Sequence, residues 1–279
     1  MDKPLISIIL IGMVSKTRKK QRTYKIYMFR HGVSCSNLAR RLNNDLEANL
    51  YTDPELTEDG ISMVKHLKPY ALKHIRKPFV TGVSNLLRTH QTAYHLLNPK
   101  KMYIIPYINE FGENYQENHE LPRELQEELL KTIDRPIIKL RDYSYYDKVE
   151  QVDEEQQLGA FMKWLGANVN KITDHGSKSL VLISHYGFIN DVINHYVGFS
   201  PQKIYNCEMI EMDVSIHNKE AHIDYLKRVS YDPKKFKKWD PIAYSKNHGC
   251  RLSIGKNRKP VTRQLIYSYE TRKKKNNPK

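Results

Sequence analysis

Lys25-Ile26-Tyr27-Met28-Phe29-Arg30-His31-Gly32 is the stretch on which the fold turns. Its first five residues are mostly apolar and aromatic and read as a buried strand. The strand ends in an Arg-His-Gly turn. Open α/β folds place ligands at the carboxyl edge of the sheet, so this turn delivers a guanidinium and an imidazole where a ligand would sit. That pairing suits a phosphate.

A tripeptide this short arises by chance, and a lone His is more often structural than catalytic. Its weight comes from an ordered series of segments downstream. Asn37 lies six residues after His31, and then comes Asp53-Pro54-Glu55-Leu56-Thr57-Glu58-Asp59-Gly60. Next are Ser84-Asn85-Leu86-Leu87-Arg88-Thr89-His90-Gln91-Thr92-Ala93, Ile108-Asn109-Glu110-Phe111-Gly112-Glu113 and Leu182-Ile183-Ser184-His185-Tyr186-Gly187. In this order the segments resemble the histidine phosphatase superfamily, which includes phosphoglycerate mutases and many small phosphatases. The resemblance covers Lys25 to Val214, about two thirds of the chain.

The resemblance implies a three-layer α/β/α sandwich around a mostly parallel sheet, phosphoglycerate mutase-like, with a helical insertion over the active site. The sequence has the matching alternation of short apolar runs with longer amphipathic stretches. Lys25–Phe29, Pro78–Gly82, Met102–Ile105, Leu180–Ser184 and Met209–Val214 read as strands. Thr57 is a good N-cap for a helix whose apolar positions run from Ile61 to Ile75, with Pro78 beyond it as a stop. Leu86–Leu97, Leu121–Leu130 and Val152–Ile172 complete the expected helices.

A phosphomonoester resists cleavage because its dianion repels nucleophiles and its alkoxide leaves poorly. A site needs cations on the non-bridging oxygens, an aligned nucleophile and an acid for the leaving group. Arg30 and Arg88 suit the oxygens, since guanidinium binds phosphate in a planar, bidentate manner that Lys cannot copy. Asn37 is a further amide donor to the phosphate. By resemblance, His31 is the nucleophile, forming a phosphohistidine, and His185 is a second donor to the phosphoryl oxygens. Outside this context His185 would read as a satisfied core histidine and Arg88 as a surface helix residue. For the proton donor the family has an acid about two dozen residues after the second Arg. Glu110 is preferred because it follows the Met102–Ile105 strand and precedes Phe-Gly; Glu113 is the second choice. This mechanism requires no metal or other cofactor, and no Gly-rich phosphate loop, His-Glu-x-x-His or paired-Cys pattern is present.

Two positions depart from the family. Val33 stands where most members have Glu or Gln, and Tyr186 where most have Gly. Both bear on substrate more than on catalysis. Ser36 before Asn37, and the lack of Gly and Trp across 38–50, favour hydrolysis over a phosphoglycerate mutase-type phosphoryl transfer. A phosphate- or nucleic-acid-binding protein without catalysis is the remaining alternative, although a pure binder has no need of Glu110.

The net charge of +15 is unevenly spread. Residues 226–279 carry 17 Lys/Arg against three acids, and residues 1–25 carry seven against one, leaving 22 basic and 27 acidic side chains between them. The expected organisation is therefore a basic extension over 1–24, a catalytic domain over 25–226 with an insertion at about 114–151, and a basic extension over 227–279. The partner expected is a phosphorylated substrate, small molecule or phosphoprotein. Weak, salt-sensitive binding of nucleic acid or an anionic surface is expected of the tail, which offers Trp239, Tyr267 and Tyr269 for stacking. The last eight residues, Arg272 to Lys279, are expected to be disordered.

Cys35, Cys207 and Cys250 show neither paired nor metal-ligand spacing, so no disulfide or zinc site is expected and a reducing, cytoplasmic setting is. The apolar run Leu5–Val14 is too short to span a bilayer, which takes about twenty residues, and reads as an added strand or packing segment.

Overall fold

The computed structural model describes residues 22–41, 48–112, 115–131, 139–142, 149–173, 176–198, 204–229, 250–254 and 257–260. The Leu5–Val14 run, Glu113, the tail aromatics and the last eight residues lie outside them. The strands are β1 (Arg22–Arg30), β2 (Val80–Val83), β3 (Lys101–Ile104), β4 (Lys139–Asp142), β5 (Ser179–Ser184), β6 (Met209–His217) and β7 (Glu220–Val229). They form one seven-stranded sheet in the order β4-β3-β2-β5-β1-β6-β7. The pairs from β4 to β1 are parallel, and β6 and β7 add antiparallel on the far side of β1.

Helices α1 (Cys35–Arg41), α2 (Glu58–His74), α3 (Leu87–Leu97), α4 (Arg123–Lys131), α5 (Gln157–Ile172) and α6 (Tyr186–Val197) complete the layers. Strand alternation sorts them. Tyr24, Ile26 and Met28 of β1 face a core with Phe161, Leu165 and Val169 of α5 and Phe188, Ile189 and Val192 of α6. Tyr27 and Phe29 face the opposite core, with Val64, Leu67 and Ala71 of α2 and Leu87, Ala93 and Leu96 of α3. Phe161 and Phe188 meet edge to face, with centroids 5.3 Å apart. Burying either ring stabilises the fold by roughly 1.5–3 kcal/mol. The architecture is the expected α/β sandwich.

The expected Thr57 cap forms: its side chain accepts from the Gly60 N–H at 2.9 Å. In the 114–151 stretch, α4 sends Leu129 and Leu130 into the α2–α3 core, while β4 extends the sheet beside β3. Strand β7 was not expected. Its hairpin from β6 turns through Asn218 and Lys219, both left-handed (φ 49° and 68°), without the Gly that announces such a turn.

One expectation is overturned. Cys35 and Cys250 form a disulfide, with Cα atoms 5.7 Å apart across 215 residues of sequence. Spacing gave no hint of it, because the pairing depends on the chain returning Cys250 to the small cluster of Cys35, Ala39, Ala48 and Tyr51 beside α1. Strands β8 (Arg251–Ile254) and β9 (Asn257–Pro260) follow as a separate two-stranded sheet. Cys207 is free and buried. Among the described residues, no helix is long and apolar enough to cross a membrane.

Candidate active site

The β1–β5 register builds the centre of the site. Arg30 pairs with Ser184, so the next residues, His31 and His185, emerge side by side from parallel strands. The His31 N–H donates to the Ser184 carbonyl at 3.0 Å. The two rings lie 5.0 Å apart, tilted by 59°.

His31 is buried, and its Nδ1 is 2.6 Å from the Gly32 carbonyl. A carbonyl only accepts, so Nδ1 carries the hydrogen and the lone pair sits on Nε2. Burial first, and the Arg88 and Arg30 charges second, hold this imidazole well below its ordinary 6.5. It is neutral at pH 7.

His185 is equally buried and is held down by burial and then by the Arg88 charge. Its Nε2 lies 2.7 Å from Ser84 Oγ, a hydroxyl that accepts from the Leu86 N–H and has its own hydrogen to give to Nε2, which leaves the hydrogen of the neutral ring on Nδ1. Its Nδ1 has no hydrogen-bond partner among the described residues and lies 4.0 Å from Glu110 Oε2.

Glu110 reaches this point on the loop after β3, which Ser184 Oγ pins by donating to the Ile108 carbonyl at 2.7 Å. Glu110 Oε1 accepts from the Gly187 and Phe111 N–H groups, at 2.8 and 3.3 Å. Gly187 is needed here: a Cβ would stand 2.8 Å from that carboxylate oxygen and from the Phe111 ring.

Arg30 donates through Nη1 to the Ile204 carbonyl at 2.6 Å, and the Tyr186 ring covers it, 5.2 Å from Cζ to centroid. Burial lowers its pKa to about 10, so it stays charged. Arg88 is buried in the first turn of α3 and donates to the Glu117 carbonyl at 2.8 Å and to Asn118 Oδ1 at 3.0 Å. These acceptors belong to the 3₁₀ turn Gln116–Asn118, which is the part of the 114–151 stretch that meets Arg88. Asn37, in the first turn of α1, receives the Asn206 amide on Oδ1 at 3.0 Å.

His31, Glu110 and His185 are also, among the described residues, the one group placed to hold a metal ion, their ligand atoms all within 4.8 Å. The Arg88, Arg30 and Arg41 charges all bear on His31, an environment that repels a cation and attracts an anion. All six residues expected from the sequence thus have a described place around the adjoining ends of β1 and β5.

Several supports of the site were not singled out from the sequence. Ser84 holds His185. Asp53, fully buried, accepts from the Leu87 N–H at the start of α3, the Leu121 N–H and the Gln126 amide, tying Arg88's helix to the segment just beyond its acceptors. Asn206 bonds the carbonyls of His31 and Gly32 as well as Asn37.

A family model for the histidine phosphatase superfamily, branch 1, matches residues 26–228. The chain belongs to this superfamily. A search of curated proteins gave no match. Solved structures that resemble the chain do so at low identity. The α-ribazole phosphatase from Shigella flexneri is 18% identical, with 75% of this chain and 99% of that one covered, at a TM-score of 0.43. The ecdysone phosphate phosphatase from Bombix mori, solved with tungstate, is 13% identical over 87% and 99%, at 0.46. A mutant phosphoserine phosphatase from Entamoeba histolytica, in complex with phosphoserine, is 16% identical over 72% and 95%, at 0.40.

Proposed function

We propose that this histidine phosphatase is a phosphomonoester hydrolase that works without a metal, through a phosphohistidine on His31. The observation that carries the reading is the state of His31: neutral, buried, its hydrogen committed to Gly32, and its Nε2 lone pair beside His185. A phosphate dianion seats against Arg30, Arg88 and the Asn37 amide, with His185 Nδ1 as a further donor. Nε2 then forms a bond to phosphorus as the ester P–O bond breaks, and Glu110 gives its proton to the departing oxygen. In the second half, water bonds to phosphorus, the P–N bond breaks, and Glu110 takes the water proton. Both residues return to their starting states.

The cations support this chemistry because their guanidinium groups bond neutral acceptors, so they keep a full charge for the dianion. Catalysis is assigned to residues 25–226, with the basic extensions on either side contributing weak, salt-sensitive attraction to anionic partners. The natural substrate is a phosphomonoester, small or protein-borne.

The test is hydrolysis of 4-nitrophenyl phosphate in EDTA by the wild type and by His31→Ala. The expected result is turnover that survives chelation and is abolished in the variant. Activity lost to EDTA and restored by a divalent metal, or retained by His31→Ala, overturns the mechanism.

A further inference from the structure

Asn206 is buried on the loop that leads into β6, and its four contacts fix which way its amide points. Arg41 Nη2 lies 2.6 Å from Oδ1, and a guanidinium only donates. On the other end, Nδ2 lies 3.0 Å from the His31 carbonyl and 3.2 Å from the Gly32 carbonyl, and both only accept. Either set alone assigns the amide, and the two agree. The end of Asn206 that faces Asn37 is therefore a donor. It dictates that Asn37 answers with Oδ1, which the Ser34 N–H also approaches at 3.4 Å. An amide with its oxygen fixed inward has its nitrogen as the free end.

We infer that Asn206 is a positioning residue that sets the polarity of Asn37, so that Asn37 presents N–H rather than oxygen to the phosphoryl group. The inference rests on the phosphoryl-transfer reading of the site. The relay runs from Arg41, which can only donate, through two amides of forced orientation, to a phosphate that can only accept. Without Asn206 only the long contact from the Ser34 N–H would hold Asn37 Oδ1 inward, and the side chain would offer the phosphate its oxygen in part of the population, placing lone pair against anion. The link is across 169 residues of sequence, and neither asparagine needs to move in the reaction.

The decisive substitution is Asn206→Asp. It preserves shape and the Arg41 contact but turns the donor facing Asn37, and facing the His31 and Gly32 carbonyls, into a charged acceptor, which drives Asn37 to turn over. The full-length variants Asn206→Asp, Asn206→Ala, Asn37→Ala and the two double variants are compared by kcat/KM on 4-nitrophenyl phosphate and by the inhibition constant of inorganic phosphate. Thermal unfolding establishes that each is folded. Asn206→Asp is expected to lose about tenfold to a hundredfold in both readouts, more than Asn206→Ala, the range for a polar group left wrongly paired. In the Asn37→Ala background the further loss should be smaller, since the route through Asn37 is gone and only the effects on the His31 and Gly32 carbonyls and of the added charge remain. Equal losses in both backgrounds, or wild-type values in folded Asn206→Asp, overturn the relay. Where Asn206→Asp does not fold, Asn206→Ala carries the same cycle. A wild type that binds phosphate by calorimetry without hydrolysing the ester sinks the hydrolase reading alone, and phosphate affinity still reads the relay.

Discussion

Arg30 and Arg88 flank the same two histidines but are held by unlike means. Arg30 sits at the end of a sheet strand, anchored by one carbonyl, that of Ile204, and covered by the Tyr186 ring. Arg88 rides on a helix and is gripped by the Glu117 carbonyl and the Asn118 side chain from a turn nearly thirty residues downstream. Both guanidinium groups thus rest on neutral acceptors, which leave their charge unspent. The difference lies in where the geometry comes from. Arg30 is placed by strand register, whereas Arg88 is placed by a loop that must itself be held.

The sharpest way to break this comparison is Arg88→Lys. A lysine keeps the charge but cannot span two divergent acceptors and still present a paired edge to phosphate. The expected loss in kcat/KM on 4-nitrophenyl phosphate is roughly a hundredfold to a thousandfold, the scale seen when one fixed donor to a developing charge is removed. Wild-type unfolding should be retained to within about 1 kcal/mol. A loss below tenfold would mean that charge alone matters at Arg88, and that the grip of Glu117 and Asn118 is incidental.

The same contrast explains what could be read from the sequence. The residues at the ends of β1 and β5 were legible because an apolar run followed by Arg-His-Gly, or by His-Tyr-Gly, states both the strand and the group it delivers. Thr57 was legible for a similar reason, since a cap acts on its own neighbours. The grip on Arg88 was not, because a backbone carbonyl such as that of Glu117 has no sequence signature. Asp53 stood inside a recognised segment, yet its bonds to Leu87, Leu121 and Gln126 span up to 73 residues. Asn206 was hidden likewise: its position follows from β6 pairing antiparallel with β1, which returns the preceding loop to the nucleophile. The Cys35–Cys250 bond was missed on the same account, since a spacing rule sees only near neighbours.

A second prediction uses pH to separate the two sides. His90, on Arg88's helix, donates from Nε2 to the Ser84 carbonyl at 2.8 Å, and so supports the residue that holds His185. Burial lowers its pKa from 6.5 to about 4. The unfolded chain therefore binds the proton more readily than the folded one. Its contribution to stability is full above pH 6.5 and is lost as pH falls from there toward about 4. Buried His31 and His185 act in the same direction, and Asp53, whose pKa burial raises, in the opposite one. Urea unfolding at about pH 7.5 and about pH 4.5 should differ by several kcal/mol, and His90→Gln should reduce that difference by about 2 kcal/mol. An unchanged difference in His90→Gln would place the acid sensitivity on the histidine pair and leave Arg88's side indifferent to pH.

The smallest expected effect lies on Arg30's side. Tyr186 is 38% exposed, so the ring covers Arg30 from a partly solvated position. A cation–π contact at a partly exposed position contributes about 0.5–1 kcal/mol. Tyr186→Gly should therefore raise the inhibition constant of inorganic phosphate only about twofold to fivefold, with kcat nearly unchanged, and Tyr186→Phe should match the wild type because the ring carries the contact. A loss in Tyr186→Gly as large as that in Arg88→Lys would mean that strand register and the Ile204 carbonyl do not hold Arg30 by themselves. The two arginines would then be alike in depending on a side chain that the strand does not supply.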